Sequence, residues 1–217
     1  EGAMQFYEMF ILKPEHSRAH MDGDIHIHDL DFLTLTTTCT QIDLTRLFDG
    51  GFSTGHGFLR EPNSIQSYCA LACIAIQSNQ NDQHGGQGVP AFDYDMAGGV
   101  VKSYRRLYRD NLSKALEIEG VENAAELVPR TMDRLEAEGL TPRLANDNGY
   151  QEREAGLLAA AADREAVGRA QGFALKYAEK ETERATYQAM EALVHNLNTM
   201  HSRAGAQIPF SSLNYGT

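Results

Sequence analysis

The stretch Gly23–Leu44, GDIHIHDLDFLTLTTTCTQIDL, decides how the rest of the chain is read. Its β-branched and apolar residues alternate, which predicts a strand that enters and leaves a turn, with His26 and His28 two apart on one face. Cys39 follows eleven positions beyond His28, at the centre of a threonine-rich strand. A lone thiol on a buried strand, preceded by two imidazoles, is a candidate floor for an active site.

Working outward, residues 1–22 read as a short helix around Phe6 to Leu12, broken by Pro14, and a connection bearing His and Arg. His16 and His20, four apart, share a helical face either as a solvated pair or as metal ligands. On the other side, residues 45–63 read as a loop containing DGGFSTGHGFLREPN, either ordinary turns or a place where a ligand approaches the main chain. Ser64 to Gln80, SIQSYCALACIAIQSNQ, is nearly free of charge and reads as a helix buried on more than one side, capped by Asn63 or Ser64. Its Cys69 and Cys73 have no charge nearby to stabilise a thiolate and read as small buried hydrophobes.

The helix runs into NQNDQHGGQG, residues 79–88. Carboxamides donate and accept without formal charge, which suits holding a hydroxylated ligand, so Asn79, Asn81, Gln83, His84 and Gln87 are candidate substrate contacts. The alternative is a polar turn in which Gly85 terminates the helix. From Phe92 a second helix is expected, where Lys102, Arg105, Arg106, Arg109 and Lys114 either receive phosphates or form a solvated face. Residues 116–150 read as a surface excursion with breaks at Gly120, Pro129 and Pro142. Residues 151–200 contain no proline and read as one or two long helices, with joints possible at Gly156, Gly168 or Gly172. An apolar strand, Gln207 to Tyr215, closes the pattern, and strand, helices, strand implies an α/β fold with parallel strands.

A chain of 217 residues with 42% hydrophobic content has material for one core and no forced division into domains. The formal net charge of −11 speaks against nucleic acid or an anionic membrane surface as partner. Three cysteines make no even disulfide set, and no leader or long apolar run is seen, so a cytoplasmic protein with reduced thiols is expected. Both ends read as cut from something longer.

Taken together, HIHDLDF, TTTC, GFSTGHGFLREP, SNQNDQHGGQ, FDY and HNLNTMHSRAGAQIPFSSLNYGT resemble the catalytic subunit of the anaerobic, glycyl-radical ribonucleoside-triphosphate reductases over nearly the whole chain. The resemblance implies the ten-stranded α/β barrel of that family, with residues 1–217 as a single partial catalytic domain supplying the first half and long helices. It implies that Cys39 is the cysteine on the first barrel strand that assists loss of the ribose 2′ hydroxyl. His26 and His28 would orient substrate or reductant or move a proton, and Thr38 would touch substrate. Arg203 and Gln207 in SRAGAQ would belong to the loop that carries the effector signal to the substrate base.

The implied substrates are ribonucleoside triphosphates, reduced to deoxyribonucleotides for DNA replication, with ATP and deoxynucleotides as effectors. The implied partners are a radical-SAM activase and a second copy in a homodimer. The glycyl radical, the thiyl cysteine and a structural zinc belong to later parts of the family chain, the reductant is formate or a dithiol, and no metal ligand is assigned here. The 217 residues alone are expected to be inactive.

Two other readings carry different consequences. GDIHIHD also resembles the first-strand HxH of zinc-dependent amidohydrolases, with His56, His84, His195 and His201 available as further ligands. A non-catalytic module that dimerises through its long helices and binds an effector nucleotide is the third.

Overall fold

A computed structural model describes residues 2–33, 37–55, 57–143, 148–200 and 210–216. It is an α/β arrangement, a parallel sheet backed by long helices. Arg203 and Gln207 lie outside the described residues, as does His56.

The chain opens with α1 (Gly2–Phe6), a π-helical turn (Tyr7–Ile11) and α2 (Pro14–Met21). The first helical stretch ends at Ile11, ahead of Pro14 as expected, with Leu12 and Lys13 extended, and Pro14 then opens α2, because the first turn of a helix has no use for the missing N–H. The strand expected from GDIHIHD is corrected. Residues 24–28 form no strand, Asp29 adopts a left-handed conformation (φ 49°), and a 3-10 turn follows at Leu30–Phe32. Leu30 is buried but Ile25 stays exposed, so the alternating side chains find no common core face to hold them extended.

The strand proper is β1 (Thr37–Gln41), followed by α3 (Leu44–Phe48). Asp43 caps α3 by accepting the Arg46 N–H at 2.9 Å. Part of the expected loop forms a small antiparallel ladder, β2 (Phe52–Ser53) with β3 (Phe58–Leu59).

The buried helix is α4 (Ile65–Asp82), entered through a reciprocal cap in which Ser64 and Ser67 exchange hydrogen bonds. It runs directly into β4 (Gln83–Val89), so NQNDQHGGQG is not a turn and Gly85 does not end the helix. The glycines concealed this strand, since they have no side chain with which to signal an extended backbone. α5 (Phe92–Ile118) crosses α4 closely at Gly99, where an added Cβ would lie 2.7 Å from Tyr68 Cγ.

Residues expected on the surface instead contribute to the first of two apolar clusters. α6 (Ala124–Ala137) passes straight through Pro129, because Ala124, Val128, Thr131, Met132 and Leu135 are all buried and their packing outweighs the lost hydrogen bond. α7 (Asn148–Leu158) and α8 (Arg164–Thr199) are separated at residues 159–163, where Asp163 caps α8 by accepting the Ala166 N–H at 2.8 Å. Gly156, Gly168 and Gly172 interrupt neither helix. One apolar cluster joins α5, α6, α7 and the first half of α8, and a second joins α3, α4, the start of α5 and the end of α8.

The last strand, β5 (Ser211–Leu213), is shorter than expected among the described residues. The sheet order is β1-β4-β5 with every pairing parallel, so β4 lies at the centre.

Candidate active site

Strand alternation divides the sheet into two faces. One is locked to α4 by a run of side-chain hydrogen bonds. Asn79 Nδ2 donates to Thr40 Oγ1 at 2.6 Å and to Gln87 Oε1 at 2.7 Å. Thr40 Oγ1 donates to Gln83 Oε1 at 2.6 Å, and Gln83 Nε2 donates to the Gly85 carbonyl at 3.1 Å. Gln87 Nε2 reaches the Ile76 carbonyl at 2.9 Å and Gln80 Oε1 at 3.2 Å. Amides expected to hold a ligand thus hold one another and the strands, which fixes β1 and β4 without a charge in the interior. Asn81 is exposed at the end of α4.

The other face carries Cys39 and small residues. The ladder shifts register between Thr38, opposite His84, and Thr40, opposite Gln87, so two residues of β4 face Cys39 alone. Such a bulge re-aims a side chain. Cys39 and Gly85 both have positive φ there, 48° and 92°. A Cβ on Gly85 would lie 3.0 Å from Cys39 Sγ, on Gly86 2.9 Å from Phe210 Cδ1, and on Gly88 3.2 Å from Ser212 Oγ. The space that β4 leaves empty is filled by a thiol from one neighbouring strand and by a phenyl ring and a hydroxyl from the other side.

Cys39, Gln41, Gly86, Gln87, Phe210 and Ser212 are among the residues lining a hollow of about 380 Å³ on this face. Cys39 is exposed to it, whereas Cys69 and Cys73 are buried in α4. Burial, with Cys73 adding to it, pushes the Cys69 thiol up to about 12, and burial raises Cys73 also. Among the three thiols, only Cys39 is placed for chemistry with a ligand.

Gly85→Ala is expected to destabilise the protein by about 2 kcal/mol, through the left-handed backbone and the contact with sulfur. The same change should displace the thiol. The checks are urea unfolding and the rate at which Cys39 reacts with a disulfide reagent, and unchanged values of both would show that the bulge does not hold the sulfur.

The imidazoles stand elsewhere. His26 and His28 are exposed on the amino-terminal segment, with ring centres 6.0 Å apart, and neither lines the hollow of Cys39. His20, absent from the sequence-based pairing, joins them with its ring 5.8 Å from that of His26. Its Nδ1 accepts the Ile27 N–H at 3.3 Å, and His28 Nε2 lies 3.2 Å from Asp29 Oδ2. Among the described residues, no group of three or more His, Cys, Asp or Glu is arranged to hold a metal.

A larger hollow, about 780 Å³, lies by α3 and the start of α5, but Asp43, Asp49, Glu61 and Asp95 line it against a single Arg46. That charge would repel a triphosphate. Three of the five basic residues of α5 are engaged in ion pairs: Lys102 pairs with Glu61 at 2.5 Å, Arg105 with Glu136, and Arg109 with Asp110 at 3.0 Å. No described helix is long and apolar enough to cross a membrane.

Sequence reasoning missed Gly85, Gly86 and Phe210. A glycine pair can mark a bulge or a close approach of backbone to a neighbour, but that these glycines lie beside β1 is not readable from the residues around them.

Comparison with known proteins adds the family. The family profile described as anaerobic ribonucleoside-triphosphate reductase matches residues 1–217. The chain is similar to a protein of that name from Salmonella typhimurium, 23% identical over 216 residues, covering 99% of this chain and 22% of the relative. It is similar to the one from Enterobacteria phage T4, 24% identical over 202 residues, covering 92% and 24%. With that of Escherichia coli it shares 29% identity over 106 residues, covering 48% and 15%. The chain therefore spans less than a quarter of the length of these curated relatives.

Proposed function

Because the chain belongs to the anaerobic ribonucleoside-triphosphate reductase family, we propose that it is part of an enzyme that reduces ribonucleoside triphosphates to deoxyribonucleoside triphosphates by radical chemistry. The observation that carries this reading is the solvent-facing thiol at a bulge on the uncovered face of a parallel sheet. Parallel sheets are ordinarily covered on both faces, and closure of this one into the family's ten-stranded barrel would enclose Cys39 with the substrate. Residues 1–217 are then one partial catalytic domain.

A glycyl radical stored elsewhere in the protein, installed by a radical-SAM activase, supplies the one-electron chemistry. In the residues at hand, Cys39 Sγ–H faces the ribose and gives its proton to the 2′ oxygen as that oxygen leaves as water. Formate or a dithiol would supply the two electrons that replacing the 2′ C–OH by C–H consumes. Thr38 and His84, backbone partners in the register just before the bulge, are assigned as substrate contacts in this reading. Asn79, Gln83 and Gln87 act mainly by holding the strands beneath it, and Asn81 is a polar contact at the helix end.

His26 and His28 serve as an outer proton or reductant station in this reading, since neither lines the hollow of Cys39. Arg203 and Gln207 relay the identity of a bound ATP or deoxynucleotide. A homodimer, a structural zinc in another part of the protein and a cytoplasmic setting complete the reading. The amidohydrolase alternative loses its basis, because residues 24–28 form no strand on which an HxH pair could share a face.

The test is an anaerobic assay of the intact protein after activation. Deoxyribonucleotide should form from a ribonucleoside triphosphate in step with the glycyl radical signal. A protein that carries the radical and yields no deoxy product would contradict the proposal.

A further inference from the structure

Phe48 and Phe92 serve the core and are 2% and 1% exposed, whereas Phe6, Phe10 and Phe58 lie, like Phe210, on the surface. Phe210 is 75% exposed, yet its backbone is fixed, because its carbonyl accepts the Gln87 N–H at 3.0 Å. Its ring rests where a side chain on Gly86 would otherwise be, with Cδ1 and Cε1 2.9 and 3.2 Å from that Cβ position. Phe210 and Cys39 line the same hollow from opposite sides of β4. An exposed aromatic ring laid over a glycine beside a lone accessible thiol contributes little to the core and gives the hollow its apolar wall.

We propose that Phe210 is a positioning residue for the reaction, its ring forming the wall that holds the sugar of the nucleotide against the Cys39 thiol and keeps water from the reacting carbons. This rests on the reading of Cys39 given above. A flat apolar wall suits the carbon face of a ribose, whose hydroxyls then point along the strand edges toward polar groups. The glycine at position 86 is what lets the ring lie low enough to leave room for the sugar. Misplacement of a reacting group by about an ångström is enough to lower a rate about 100-fold.

The experiment compares Phe210→Ala and Phe210→Leu with the wild-type intact enzyme, anaerobically activated, with a ribonucleoside triphosphate as substrate. Phe210→Ala should lower kcat at least about tenfold with a smaller change in KM, and should speed the loss of the glycyl radical when substrate is present. Phe210→Leu keeps an apolar wall and should recover to within about threefold of wild type. Thermal unfolding should be little changed in either variant. Wild-type kcat and radical lifetime in Phe210→Ala would overturn the inference, and so would a leucine variant as impaired as the alanine one. If Cys39→Ser abolishes turnover while Phe210→Ala is neutral, only this inference fails. If Cys39→Ser turns over normally, the reading beneath it fails.

Discussion

Cys39→Ser in the intact, activated enzyme is expected to lose turnover altogether while its glycyl radical forms normally. Serine preserves the size of the side chain, so the bulge at Gly85, which leaves 3.0 Å between the sulfur and an imagined Cβ, accepts it without strain. What changes is the chemistry. An ordinary thiol has a pKa of about 8.5 and gives up a proton readily, whereas a hydroxyl proton is held far more tightly. Loss of a positioned proton donor alone is worth about 10²–10⁴ in rate, and a hydroxyl also gives up its hydrogen atom far less readily than a thiol. Product formation under single-turnover conditions, read beside the radical signal, checks this. Turnover within tenfold of wild type would remove Cys39 from the mechanism, and loss of the radical signal would assign it to folding or activation.

Glu154→Ala should destabilise the protein by about 3–5 kcal/mol. Glu154 is wholly buried on α7. It accepts hydrogen bonds from Tyr108 Oη at 2.5 Å, Tyr150 Oη at 3.1 Å and Gln171 Nε2 at 2.9 Å, and so ties α5, α7 and α8 together. Removing it takes the acceptor from the buried Tyr108 hydroxyl and one acceptor each from Tyr150 and Gln171, whose Nε2 keeps the Gln151 carbonyl at 2.9 Å. Loss of a buried partner costs about 1–3 kcal/mol and breaking a buried charged network about 3–5 kcal/mol, against a partial gain from no longer burying a carboxylate. For a chain of this size the midpoint of thermal unfolding should fall by roughly 10 °C. A loss below about 1 kcal/mol would mean that water or rearranged tyrosines replace the carboxylate.

The same group gives a pH signature with a definite sign. Burial raises the Glu154 pKa above the ordinary 4.5, and the hydrogen bonds from Tyr108, Gln171 and Tyr150 only partly offset this. Between 4.5 and the raised value the folded protein holds a proton that the unfolded chain has released, so stability falls as pH rises through that window. Glu154→Gln lacks the titration. The difference in unfolding free energy, wild type minus Gln variant, should therefore decline as pH climbs from 4.5 and level off above the raised pKa. A difference that grows with pH over that range would mean the hydrogen bonds outweigh burial.

Periodicity and capping made the helices readable: Ser64 opens α4 and Phe92 opens α5 where expected, because caps and apolar spacing act locally. Two errors came from giving local signals too much weight. Alternation in GDIHIHD suggested a strand that no partner face supports, and Pro129 suggested a break that the buried face of α6 overrides. The candidate site was half visible. Cys39 stood out as the one cysteine outside a buried helix, but the bulge that aims it depends on a glycine-containing strand remote in sequence, with Thr38 paired to His84 and Thr40 to Gln87, and its neighbour Phe210 lies farther still along the chain. Proximity of that kind is written in tertiary contacts, and neighbouring residues carry little trace of it.

Differential alkylation of the intact protein tests most directly whether the uncovered face of the sheet receives the nucleotide. Cys39 should react with iodoacetamide while Cys69 and Cys73, buried in α4, do not, and a saturating ribonucleoside triphosphate should protect it. Equal labelling of Cys39 with and without bound nucleotide would contradict the assignment of this face.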